Sequence, residues 1–121
     1  MLHFVYVLEL EGDYAWVGVS ANPAKLLRQH TRRRTDPPCR WTTLHPPRAL
    51  TVCTPVEEGR SPDEALEEAI IDAMARRGVA RVRGGAYSTV TLPSETRQAL
   101  RQRASARRAE IAEARAPETE A

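Results

Sequence analysis

The stretch from residue 4 to residue 30, FVYVLELEGDYAWVGVSANPAKLLRQH, constrains the fold more than any other part of the chain. Residues 4–10 alternate, with Phe4, Tyr6, Leu8 and Leu10 on one face and Val5, Val7 and Glu9 on the other, which is the period of a β-strand. A second strand is predicted over residues 14–19. Between them Glu11, Gly12 and Asp13 have hairpin chemistry, because glycine tolerates positive φ and aspartate can bond its own backbone. Such a hairpin lets Tyr6 and Trp16 project to the same side. Ser20 or Asn22 then caps a helix over residues 23–31, with Pro23 in its first turn, where a missing N–H costs little. Leu26 and Leu27 are its inward residues, and Lys25, Arg28 and Gln29 face outward.

Downstream, Pro37 and Pro38 end that helix and bias their neighbours to extended structure. Residues 41–44 and 49–54 read as extended. The latter segment, containing Leu50-Thr51-Val52-Cys53, has strong β preference and is taken as the third strand. Ser61-Pro62-Asp63-Glu64 is a helix start, with Ser61 as N-cap, Pro62 at the first position and acids that favour the dipole. This second helix runs to residue 77 and stops at Gly78. Its apolar stripe of Leu66, Ala69, Ile70, Ala73 and Met74 recurs at helical spacing and is expected to pack on the sheet. Residues 79–82 lead into Arg83-Gly84-Gly85, and residues 87–92 alternate as a short strand. Ser94 opens a last helix. Nearly devoid of large apolar residues past Leu100, it has little with which to dock and is expected to be exposed, fraying after residue 114.

At 121 residues the chain suits one domain. The division expected is a folded unit over residues 1–93 and a charged helical tail over 94–121. The net charge of +2 hides an uneven distribution. Lys25, Arg28, Arg32, Arg33, Arg34, Arg40 and Arg48 share one segment whose only acid is Asp36, whereas residues 57–72 are rich in acids. The basic segment is either a face for a polyanion or a solvated loop. The first ten residues lack the charged and apolar regions of a signal peptide, and nothing approaches the roughly 18 apolar residues needed to cross a bilayer, so a cytoplasmic protein without membrane contact is expected. Cys39 and Cys53 are then expected as free thiols, and with His45 they lack the spacing of a zinc site.

Tyr6 in FVYVL, Trp16-Val17-Gly18 in AWVGVS and the helix ending Leu27-Arg28-Gln29-His30 together resemble the GIY-YIG nuclease superfamily, whose two half-motifs lie on a hairpin followed by such a helix. Arg40-Trp41-Thr42, Pro47 and the apolar residues 50–52 are similar to the third-strand region of its small members. Val82-Arg83-Gly84-Gly85-Ala86-Tyr87-Ser88 is similar to their VRGGSYS segment. The likeness covers residues 4–92. It implies an α/β domain with a small antiparallel three-stranded sheet flanked by helices, here followed by the exposed charged helix. It also implies metal-assisted hydrolysis of DNA. In such proteins tyrosines of the half-motifs handle the proton of the attacking water, an arginine on the first helix holds the phosphate, and a glutamate on the second binds one divalent cation, Mg2+ or Mn2+.

Carried over by residue, the likeness makes Tyr6 the base; read alone, Tyr6 is a half-buried strand aromatic. Trp16 stands at the second tyrosine and cannot take a proton. Gly18 matches the motif glycine, which leaves room for close backbone approach. Leu26 stands where the arginine would be, with Lys25 and Arg28 on either side. Arg28 and His30 are the candidate phosphate contacts, His30 serving as a proton shuttle, a phosphate donor or only a helix cap. The metal ligand comes from Glu64, Glu67 or Glu68. Glu67 lies at the edge of the apolar stripe and is preferred, with Glu68 as the alternative. Arg83, Gly84 and Gly85 either cradle an anion, helped by Tyr87, or form a tight turn. Lys25, Arg32, Arg33, Arg34 and Arg40 complete the expected nucleic-acid surface. The other reading is a non-catalytic module that binds nucleic acid, or docks a protein partner through its C-terminal helix. Hydrolysis requires Tyr6 and Glu67 to meet around one cation.

Overall fold

The computed structural model describes residues 3–22, 25, 41 and 44–115, the last by its backbone only. Three long strands open the fold: β1 (Phe4–Leu10), β2 (Tyr14–Ser20) and β3 (Pro47–Pro55). The turn between β1 and β2 holds two consecutive left-handed residues, Gly12 at φ 81° and Asp13 at φ 66°, the conformation for which their side chains suit them. β3 extends beyond the predicted 49–54 to include a proline at each end. It can do so because it is an edge strand, where a missing N–H breaks no inner ladder bond.

The sheet has four strands in the order β3-β1-β2-β4, and it is mixed. The expected three-stranded antiparallel sheet is therefore corrected by β4 (Val82–Gly84), which pairs in parallel with β2. Three residues are too few to display a strand period, and two glycines in sequence read as a turn. Gly84 is what allows the pairing, since a Cβ there would lie 2.1 Å from the Val17 carbonyl oxygen. The short strand expected over 87–92 is absent: Tyr87 makes an isolated bridge to Gly84, and the rest is loop. Trp41 and Leu44 are helical rather than extended. His45 N–H closes a turn on the Trp41 carbonyl at 2.9 Å, and the Trp41 indole donates to the Ala15 carbonyl at 3.0 Å. These tertiary and turn contacts override a local preference for strand.

α1 (Pro62–Arg77) forms as its sequence predicts. Ser61 Oγ accepts from the Glu64 N–H at 3.4 Å, Asp63 and Glu64 occupy the first turn, and Gly78 at φ 102° ends the helix with its N–H on the Met74 carbonyl. α1 lies over β1, β2 and β4. Beneath it Val5, Val7, Ala15, Val17, Ile70, Met74 and Val82 make the main core, while Tyr6, Leu8, Leu10 and Trp41 form a second cluster on the other face of the sheet.

α2 (Ser94–Arg115) is exposed over most of its surface, but it docks where little docking was expected. Leu100 and Ala104, four residues apart on one face, are 2% and 1% exposed and belong to the main core. Around them Arg107 reaches Asp72 at 3.0 Å and Arg108 donates to the Ala75 carbonyl at 2.9 Å. One leucine, one alanine and a row of arginines thus suffice, because α1 offers acids and a free carbonyl in register. Among the described residues no helix is long and apolar enough to cross a membrane.

Candidate functional site

Glu67 is where side chains from three elements meet. Its Oε2 accepts a hydrogen bond from the Tyr87 hydroxyl at 2.7 Å and another from Arg103 Nη1 at 2.5 Å. The local chain builds each arm. Gly84 and Tyr87 exchange two backbone hydrogen bonds, of 2.9 and 2.8 Å, so residues 84–87 form a tight turn that presents the phenol. Within it Gly85 sits at φ 52° against Leu66 and Ile70, where a Cβ would come within 3.1 Å of both side chains. Arg103 stands on α2 beside the docked Leu100 and Ala104. The Glu67 and Arg103 side chains are 32% and 49% exposed, so the cluster opens to solvent. Burial, and then the neighbouring carboxylate, push the Tyr87 phenol above its ordinary pKa, and the hydrogen bond to Glu67 holds Arg103 more firmly protonated. As it stands, Tyr87 is a donor and not a base.

Glu68, the alternative ligand, points to the other flank of α1, where it pairs with Arg60. That flank borders a groove of about 540 Å³ floored by Val5, Val7, Val52 and Ala69. Its rim charges are matched, Arg76 and Arg107 on Asp72 and Arg77 on Glu9.

Tyr6 does not join Glu67. It belongs to the cluster on the face away from α1, so the sheet lies between the two residues. The expected convergence is corrected: the phenol at Glu67 is Tyr87. Tyr6 is 3% exposed and its ring lies on Gly18, its cross-strand partner, where a Cβ would fall 2.3 Å from the phenol oxygen. The glycine is needed for that approach, as the sequence suggested. Trp16 stands opposite Leu8 on the same face.

Arg83 also departs from expectation. It is 5% exposed and donates to the carbonyls of Val79, Val82, Thr89 and Val90 at 2.8 to 3.1 Å, with its guanidinium 4.5 Å from the centre of the Trp41 ring. These bonds tie the loop after β4 to the core, which leaves no fork for phosphate. Gly84 donates its N–H to Tyr87, so the glycine pair forms the tight turn rather than the anion cradle. Burial, with Arg83 nearby, lowers the pKa of His45, which stacks on Tyr14 at 3.6 Å between ring centres.

Of the first helix, Lys25 is exposed and its N–H is capped by Asn22 Oδ1 at 3.2 Å, which selects Asn22 over Ser20 as the cap. Arg28, His30, Arg32, Arg33, Arg34, Arg40, Leu26 and Cys39 lie outside the described residues. Cys53 is a free, exposed thiol. Arg103 went unnoticed in the sequence; the signal available there is its place beside Leu100 on the last helix.

As to the cation, among the described residues no three His, Cys, Asp or Glu side chains cluster. Mg2+ and Mn2+ are hard ions that take one or two carboxylates together with waters and substrate oxygens, but the one carboxylate here, that of Glu67, already carries Arg103 and the Tyr87 hydroxyl on its Oε2. Comparison with known proteins gives no match to a family model, to a curated protein or to a solved structure.

Proposed function

We propose that this chain is a cytoplasmic, GIY-YIG-like protein, a metal-assisted DNA endonuclease or a degenerate relative of one, in which Glu67 would hold the cation; because Tyr6 lies across the sheet, the Tyr6–Glu67 meeting that hydrolysis was expected to require does not occur, and Tyr87 would have to stand in for Tyr6. The observation that carries the proposal is the meeting of a carboxylate, a phenol and a guanidinium on one oxygen of Glu67, at an edge open to solvent. Those are the group types that phosphoryl chemistry uses: a hard ligand, a group able to exchange a proton, and a cation for the growing charge. A bound divalent cation supplies Lewis acidity and lowers the pKa of coordinated water. The chain's own part is to hold and orient. Glu67 is fixed by α1, while the 84–87 turn sets the Tyr87 hydroxyl against the carboxylate, where it orients the nucleophile.

A second reading, a non-catalytic nucleic-acid-binding module, is favoured by the position of Tyr6 on the opposite face and by the neutralisation of Glu67 by Arg103. A plasmid-nicking assay with Mg2+ or Mn2+ separates the two. Hydrolysis predicts nicking that Glu67→Ala abolishes; nicking that survives Glu67→Ala removes the site assigned here. No nicking, with a gel shift that weakens as salt rises, selects the binding module, because phosphate contacts release counterions. No salt-sensitive shift at all points to an adaptor that docks protein.

A further inference from the structure

We propose that the outer flank of α2, which carries Arg97, Arg101 and Arg108, is a docking surface for the phosphate backbone of a nucleic-acid duplex. The inference rests on nucleic acid as the partner, which both readings above share, and on neither a cation nor Glu67. At about 100° per residue the arginines of α2 fall on two sides of its docked seam, which Leu100 and Ala104 mark. Arg103 and Arg107 lie on one side, where Glu67 and Asp72 of α1 neutralise them. Arg97, Arg101 and Arg108 lie on the other, within an arc of about 40°, and all three are exposed. Among the described residues none of these three meets a carboxylate. Arg108 uses only its Nε–H, on the Ala75 carbonyl, and keeps its other donors.

Charge and composition select the partner. From Arg97 to Arg108 the row runs along about 16 Å of helix, so it suits a partner that is anionic along its whole length. A duplex carries one phosphate charge about every 1.7 Å of its axis, and each guanidinium therefore finds one whatever the register. The guanidinium fork also matches the phosphate oxygens. Between residues 97 and 112 the surface continues round the helix, over an arc of about 140°, with Ser105, Gln98 and Gln102, the rest being alanine. The acids of the helix, Glu95, Glu110 and Glu113, fall outside that arc, and it holds no large apolar side chain. A protein partner would need aromatic or aliphatic anchors at its centre, and a single strand would need rings on which to stack its bases. A duplex backbone needs neither. The support is also rigid, because the buried seam and the ion pairs of the inner flank fix α2 against α1, so little order is lost when the outer flank binds.

The test titrates the full chain, without divalent cations, with short DNA duplexes of two unrelated sequences over a range of salt, reading fluorescence anisotropy. Its variants are the pair Arg97→Gln with Arg101→Gln, the same two positions changed to lysine, and Arg76→Gln as a control, since Asp72 already neutralises that charge on α1. Thermal melts confirm that each folds. One phosphate contact contributes about 0.9 to the salt slope, and so about tenfold in affinity near 0.1 M salt. We expect the glutamine pair to lower the slope by about two and to weaken binding by about tenfold to a hundredfold, equally for both duplexes. The lysine pair should keep the slope, and Arg76→Gln should bind like the wild type. Wild-type protein with no salt-sensitive binding to either duplex overturns the nucleic-acid reading and this inference with it. If the wild type binds and the glutamine pair keeps its affinity and slope, or loses no more than Arg76→Gln does, that reading stands and the role of α2 is overturned. The role is overturned too if poly-glutamate displaces the labelled duplex as well as unlabelled duplex does at equal charge, which would assign the flank to an acidic protein.

Discussion

Replacing Arg83 with leucine tests the reassignment of that residue from phosphate contact to structural clamp. The side chain is buried and satisfies four carbonyls, two of them, those of Val79 and Val82, through fully buried bonds. A buried acceptor left without a donor costs about 1–3 kcal/mol, whereas the Thr89 and Val90 carbonyls sit near the surface and regain water. The two buried acceptors therefore contribute about 2–6 kcal/mol, and loss of the stacking on Trp41 adds about 0.5–2 kcal/mol. Some relaxation will offset this, so we expect a loss of about 3–5 kcal/mol, a large part of the roughly 5–15 kcal/mol that holds a domain together. Urea unfolding monitored by tryptophan fluorescence measures it. Arg83→Lys should recover little, because an ammonium cannot direct donors to carbonyls on both sides of the side chain. A cost below about 1 kcal/mol, combined with weaker DNA binding at unchanged fold, would refute the clamp and restore Arg83 to the nucleic-acid surface.

Three further outcomes are expected. Leu100→Ala should cost about 2–4 kcal/mol in urea unfolding, because the side chain is 2% exposed in the main core; an effect near zero would show that α2 does not dock. Gly18→Ala should cost about 1–3 kcal/mol by forcing the Tyr6 ring off the strand, and the loss should shrink in a Tyr6→Leu background, since the Cβ clashes with the ring and its hydroxyl; equal costs in both backgrounds would exclude the contact. The hydrogen bond from Arg77 is the main influence lowering the Glu9 pKa, with burial opposing it. A lowered folded-state pKa means stability that is present above the unfolded carboxyl value and lost as pH falls through the folded one. Melts from neutral to acid pH should therefore show a loss of about 1 kcal/mol that Glu9→Gln removes; an unchanged acid slope in Glu9→Gln would dismiss the pair.

Local chemistry alone dictated a good deal of this molecule. The alternation of residues 4–10, the Gly12-Asp13 turn and the Ser61-Pro62 start with its Gly78 stop each act within a few residues, and β1, β2 and α1 form accordingly. The same holds for Gly18, whose missing side chain admits its cross-strand neighbour. Where a preference is weak or a segment short, distant partners prevailed. Trp41 follows the Ala15 carbonyl and not its β propensity, and β4 exists because Gly84 can lie against Val17.

The candidate site divides in the same way. The facing of Glu67 at the edge of the apolar stripe could be read from the helical period, because facing is a property of one helix. Which phenol reaches it could not. Tyr6 and Tyr87 are equally tyrosines in sequence, and only the sheet between Tyr6 and α1, together with the 84–87 turn, decides that Tyr87 makes the contact. Arg83 and Arg103 are likewise one residue type with opposite environments, one enclosed by carbonyls and the other half open on a docked helix. Composition specifies which charges the chain carries; their solvation and their partners arise from packing between elements far apart in sequence, and so belong to the tertiary structure alone.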